Sequence, residues 1–123
     1  MQRWLIRSCT LIALCASMST QAQDGPVTAK EIQDTWVGKE LTGTIPSSGA
    51  PVQVRLDADG KAYMHAGRTN DTGTWRLSEN GYCTTWVRTR PGQERCFTVV
   101  RAGTTFNVLN PDGSLSGQFT GIR

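Results

Sequence analysis

After Gly38 the chain settles into a rhythm that restricts its fold more than any other feature. Short runs rich in Val, Thr, Ile and aromatic residues alternate with glycine-bearing turns about every 8 to 12 residues, a signature of all-β domains. Val52-Gln53-Val54-Arg55-Leu56 alternates apolar and polar residues, which places Val52, Val54 and Leu56 on one core-facing side of a strand. The same reasoning predicts strands at 41–45, 61–66, 73–77, 82–89, 94–101, 104–109 and 114–120. Gly67 to Thr72 reads as an exposed loop. Asp57-Ala58-Asp59-Gly60, Asn80-Gly81, Arg90-Pro91-Gly92 and Asn110-Pro111-Asp112-Gly113 supply the other turns. Eight antiparallel strands with no crossover helix between them remove their exposed edges by closing into a small barrel. An open two-sheet sandwich is the alternative.

One short helix precedes this meander. Thr28-Ala29-Lys30-Glu31 has the form of a capping box, with a hydroxyl at the start and a carboxylate three residues on. Ile32 and Trp36 are four apart and share one helical face. Gly38 ends the pattern, so a helix is predicted over about 28–36, with Trp36 packed on whatever follows.

Ahead of the helix, Met1 to Arg7 carries Arg3 and Arg7, Ser8 to Ser19 is mostly apolar, and Thr20-Gln21-Ala22 places small residues at both positions a signal peptidase reads. That order predicts a secretory signal over 1–22 and a single small domain over 23–123. The apolar run falls short of the roughly 20 residues needed to cross a bilayer, and the competing reading is an N-terminal helix of the domain. Neither Cys9 nor Cys15 sits in a good lipid-acceptor context. Arg3 and Arg7 are the only charges in the leader, so the 13 basic residues fall to 11 against 10 acidic, a net charge of +1. A globally basic nucleic-acid binder is not supported by that balance. The expectation is a periplasmic or secreted monomer with no integral membrane segment once the leader is gone.

Cys83 and Cys96 are the cysteines left after the leader. In an exported protein they are expected to pair as a disulfide. Zinc would need four N or S ligands, and His65 is the one histidine. The pairing also tests the strand register. Cys83 faces Cys96 only if hairpin partners sum to 179, as Thr85 with Glu94 would. A tight turn centred on Pro91-Gly92 gives sums near 183, an offset of about 13 Å along a strand. A disulfide tolerates no more than about 7 Å between Cα atoms. The bridge therefore predicts a longer loop, about Arg88 to Pro91, or a bulge.

Catalytic signals are weak. His65 has no partner of the kind a general base needs. Asp57 and Asp59 lack the further oxygen ligands and bidentate glutamate of a calcium loop, since Lys61-Ala62-Tyr63 follows. Ser47-Ser48-Gly49 lacks the elbow of a hydrolase nucleophile. Asn70-Asp71-Thr72 matches a glycosylation acceptor that only a eukaryotic host would use. No catalytic residue, metal site or cofactor is expected, and the chain reads as a non-enzyme.

The arginines and aromatics between 75 and 101 carry more. The bridge sets Cys83, Thr85 and Val87 on one face with Cys96, Thr98 and Val100. Tyr82, Thr84, Trp86 and Arg88 share the other with Arg95, Phe97, Val99 and Arg101, and its bulkier apolar groups assign Trp86, Phe97 and Val99 to the barrel interior. Trp75, Trp86 and Phe97 are then candidates for contacting a small apolar ligand inside the barrel. Arg88, Arg90 and Arg95 flank one hairpin tip and are candidates for meeting an acidic envelope partner, as an inhibitor or accessory protein would. Arg88, Arg95 and Arg101 are predicted at strand ends, reaching the rim and water. A cavity above about 300 Å³ favours the ligand reading, and a core filled by the tryptophans favours the partner reading.

Gly73-x-Trp75, Cys83-x-x-Trp86 and Cys96-Phe97 together resemble a pattern found in small uncharacterised exported bacterial proteins. In those, a helix and a glycine like Gly38 precede a lipocalin-like β meander. The resemblance covers roughly residues 32 to 101. It implies a barrel and a periplasmic address, and it transfers no catalytic residue.

Overall fold

The Val52–Leu56 alternation becomes the wall of a closed barrel in the computed structural model, which describes residues 24–123. A two-residue strand β1 (Gly25–Pro26) and the helix α1 (Ala29–Thr35) come first. Eight strands follow: β2 (Glu40–Ile45), β3 (Ala50–Leu56), β4 (Lys61–Ala66), β5 (Thr69–Ser78), β6 (Gly81–Trp86), β7 (Arg95–Ala102), β8 (Thr105–Leu109) and β9 (Leu115–Ile122). Each pairs antiparallel with the next, and β9 pairs with β2 to close the ring. The predicted eight-stranded barrel with one short N-terminal helix is therefore the observed fold, and the open sandwich is excluded. β1 lies against Val100 and Arg101 of β7, beyond the end of β6, and was not anticipated. The leader, Cys9 and Cys15 lie outside the described residues.

Closure depends on a glycine. Gly43 stands opposite Phe119 where β2 meets β9, next to a register shift at Thr42/Gly43. A Cβ there would lie 1.7 Å from the Gln118 carbonyl oxygen, so only glycine lets the first and last strands come this close.

The barrel is filled at one end. Thr28 Oγ1 accepts from the Glu31 amide at 3.1 Å, starting α1 as the capping pattern predicts. Trp36, just past the helix, is 0% exposed. Its indole meets Tyr82, Phe106 and Phe119 edge-on, with ring centroids 5.9, 5.5 and 5.7 Å away. Val27, Ile32, Leu41 and Leu56 complete this plug. The Arg101 guanidinium bonds to the Glu31 carboxylate and lies 5.1 Å from the Phe106 ring centre. Arg101 is thus half-buried and holds the helix down; it is not a free rim arginine as the sequence predicted. A carboxylate partner on α1 and an aromatic face on β8 explain the difference.

Two loop predictions need correction. Gly67 to Thr72 is not an exposed loop. The turn is Gly67-Arg68, and Thr69 to Thr72 pair with β4 as the start of β5. Their polar character mimics a loop: Asn70 and Thr72 are exposed, while Asp71 is buried at 4% exposure with its own hydrogen-bond partners. The β6–β7 connection is also longer than predicted, covering 87–94. Cys83 stands opposite Cys96 and Thr84 opposite Arg95, the register that the bridge required. The strands part after Thr84 because Trp86 and Val87 stay with β5, Trp86 opposite Gly73 and the Val87 amide 2.9 Å from the Thr72 oxygen.

Candidate functional site: the open end of the barrel

The connections at 46–49, 67–68, 87–94 and 110–114 all fall at the end away from α1. Beneath them lies a cavity of about 400 Å³. Its walls are the inward residues of successive strands, among them Val54, Met64, Tyr82, Trp86, Phe97 and Val108. Alternation produces this lining directly. Val54 pairs with Met64 and Tyr82 with Phe97, so each pair presents two side chains to the same face. Burial pushes the Tyr82 hydroxyl well above the usual phenol range, so it stays neutral.

The polar part of the site clusters toward the mouth. Thr84 and Arg95 face each other across β6 and β7 and both line the cavity. Arg95 Nη2 donates to Asn110 Oδ1 at 3.3 Å, and Asn110 Nδ2 donates to Ser114 Oγ at 3.0 Å. Ser114 is held in turn by Asp112, through its hydroxyl at 2.5 Å and its amide at 2.9 Å. Among the described residues no carboxylate forms an ion pair with Arg95. Arg90 also lines the mouth and holds φ at +49°, the one positive φ among the described non-glycine residues. No Asp or Glu lines the cavity.

Asp71 shapes this end from below. Its carboxylate accepts from the amides of Thr72, Arg88 and Thr89. Burial opposes its ionisation, but hydrogen bonds from Thr89, Arg88 and Thr72 outweigh that and hold its carboxyl below the ordinary carboxylate range. Nothing in the polar run 68–72 distinguished Asp71 from its neighbours. Asn110 likewise carries only a turn signal in the sequence.

Of the sequence-predicted ligand residues, Trp86 and Phe97 line the cavity and Trp75 does not. Trp75 extends past the end of β4, and its Nε1 donates to the Asp57 carbonyl at 2.7 Å near the plugged end. Nor do the three predicted partner-binding arginines form one patch. Arg90 and Arg95 line the cavity, whereas Arg88 is exposed and outside the lining. The in-register position of Arg95 opposite Thr84 turns it inward, away from the tip.

Cys83 and Cys96 form the predicted disulfide on the outer wall. Arg76, the β5 neighbour of Cys83, clasps Glu94 with two bonds of 2.6 and 3.0 Å, which holds the Glu94 carboxyl below its ordinary range. Glu94 and the two sulfurs converge like a metal cluster, but the sulfurs are bonded to each other and supply no thiolate. His65 is exposed and meets Asn70, which cannot serve as its acid or base partner.

A closed antiparallel barrel, plugged at one end by Trp36 and hollow at the other, defines a small cavity-bearing β-barrel protein. Comparison with protein-family models, with curated proteins and with solved structures finds no match to the chain. Among the described residues no helix is long and apolar enough to cross a membrane.

Proposed function

We propose that this protein is an exported, non-catalytic binding module that holds a small apolar ligand in the open half of its barrel. The observation that carries this is the cavity of about 400 Å³, walled by Val54, Met64, Trp86, Phe97 and Val108. It lies within the range of small-molecule sites, which combine apolar walls with a few placed polar groups. The disulfide suits an oxidising compartment and supports export. Mass spectrometry of the protein recovered from its host tests that address, with a mature start near Gln23 expected. The binding test is titration with the neutral fluorescent probe N-phenyl-1-naphthylamine. Saturable one-to-one binding is expected, and Met64→Trp, which fills the cavity, abolishes it. Absence of saturable binding by the wild-type protein refutes the ligand reading.

A second reading rests on the loop tip, where Val87 is 63% exposed beside Arg88. A bulky apolar side chain next to an arginine suits contact with an acidic envelope partner. Arg88→Ser combined with Val87→Ser then weakens retention on an anionic matrix at low salt while leaving probe binding intact. Unchanged retention removes this alternative.

A further inference from the structure

The cavity is apolar but not neutral, and its charge has one sign. Arg90 and Arg95 are the charged residues in its lining, and both are cations. Arg95 is the more informative. It is half-buried, it projects from β7 among Thr84, Phe97 and Trp86, and among the described residues no carboxylate pairs with it. A guanidinium carries five N–H donors, and one bond to Asn110 accounts for a single donor. Burying such a group is costly unless an anion or acceptors complete its shell.

The surrounding contacts hold Arg95 in place without neutralising it. Asn110 turns its oxygen to Arg95 because its amide nitrogen donates to Ser114. Ser114 is fixed by Asp112, so the charge of Asp112 is spent on the β8–β9 turn, two residues beyond Asn110. Across the strand pair, buried Thr84 is the direct partner of Arg95 and lines the same cavity. The result is a positioned planar cation near the mouth, with the apolar wall continuing from Phe97 and Tyr82 toward the Trp36 plug.

We propose that the ligand is an amphiphile with an apolar body and a carboxylate head, bound body-first, with Arg95 as the counter-charge of the head. This deepens the cavity reading and rests on it. A carboxylate matches the planar fork of a guanidinium and can take two parallel bonds from it. Thr84 adds a third possible donor, and Arg90 at the mouth draws anions toward the opening. The head then completes the shell of Arg95 while the body covers Trp86, Phe97 and Val108.

Calorimetric titration of the purified, disulfide-bonded protein with octanoate and with 1-octanol tests this, because the two probes share one apolar body. At neutral pH octanoate is expected to bind about tenfold more tightly than 1-octanol, the difference a charge-assisted hydrogen bond supplies. Arg95→Met should erase that preference and leave 1-octanol affinity within about twofold, whereas Arg95→Lys should keep part of it. Equal affinity of the wild-type protein for the two probes overturns the proposal and leaves the apolar-cavity reading standing. A preference for octanoate that survives in folded Arg95→Met overturns the role of Arg95. Failure of both probes to bind overturns the cavity reading together with the proposal. The wild-type comparison decides between carboxylate and alcohol whether or not the Met variant folds.

Discussion

The Asp71 carboxylate accepts the backbone amide of Thr89 at 2.7 Å, tying the open end of β5 to a loop that rims the cavity. The neighbouring Arg88 amide lies 3.0 Å from the other carboxylate oxygen. One buried side chain therefore decides where β6 stops and where the mouth segment turns away.

Asp71→Asn is expected to destabilise the fold by about 1–3 kcal/mol at neutral pH, because buried amides lose a charged acceptor. The Asp71 carboxyl is held below its ordinary value of 3.8 in the folded protein. Its contribution is therefore complete above that unfolded value and is lost as pH falls through the lower folded one. Urea denaturation of both proteins at several pH values checks this. The stability gap should be constant above about pH 5 and close in strong acid. A gap unchanged down to the lowest pH contradicts the assignment.

Trp36→Ala should cost about 3–5 kcal/mol, as truncation of a fully buried aromatic does. It removes three aromatic contacts at once and joins the plugged end to the cavity. Equilibrium unfolding gives the cost. Binding of an apolar probe longer than the wild type accepts would show that Trp36 is the cavity floor.

Reduction of Cys83–Cys96, or Cys83→Ser, is expected to lower stability by about 2–5 kcal/mol, mainly by freeing the unfolded chain. The two cysteines are separated by 13 residues, a loop for which chain entropy accounts for about 3 kcal/mol. Thermal unfolding with and without a reductant reads the shift. Two titratable thiols in the air-prepared folded protein would show that the bridge is not formed.

Replacing Arg88, Arg90 and Arg95 together by Ser should change stability by less than about 1 kcal/mol, since none has an ion-pair partner among the described residues. Arg90 holds a left-handed conformation that disfavours serine as much as arginine, so this strain does not change on replacement. The same variant should lose its preference for anionic probes. Extensive unfolding on replacement would make these arginines structural and remove them from the recognition argument.

Much of this architecture is legible in the sequence. Val52, Val54 and Leu56 announced a half-buried strand through period-two alternation alone, a local property of the chain. Thr28 and Glu31 marked the helix start because capping is satisfied within a few residues. The cysteine pair even overruled the tight turn at Pro91-Gly92, because covalent reach is a hard distance limit. Polar residues gave no such signal. Asp71 in β5 and Asn110 in the β8–β9 turn act on partners 17 and 15 residues away, and a lone Asp or Asn says nothing about distant amides or guanidinium groups.

Periodicity, turn chemistry and covalent reach thus determined, from sequence, the number of strands, the inward face of β6 and β7, the helix and the bridge. Only the tertiary structure decided that the barrel is half filled and half hollow. It also separated Trp75 from Trp86 and Phe97, and sent Arg101 to Glu31 while Arg95 stayed in the cavity lining. Those outcomes depend on strand stagger and ring closure, which set the depth at which each inward residue sits. Depth around a closed barrel is a sum over every pairing, including the contact of Gly43 with β9, and no single segment encodes it.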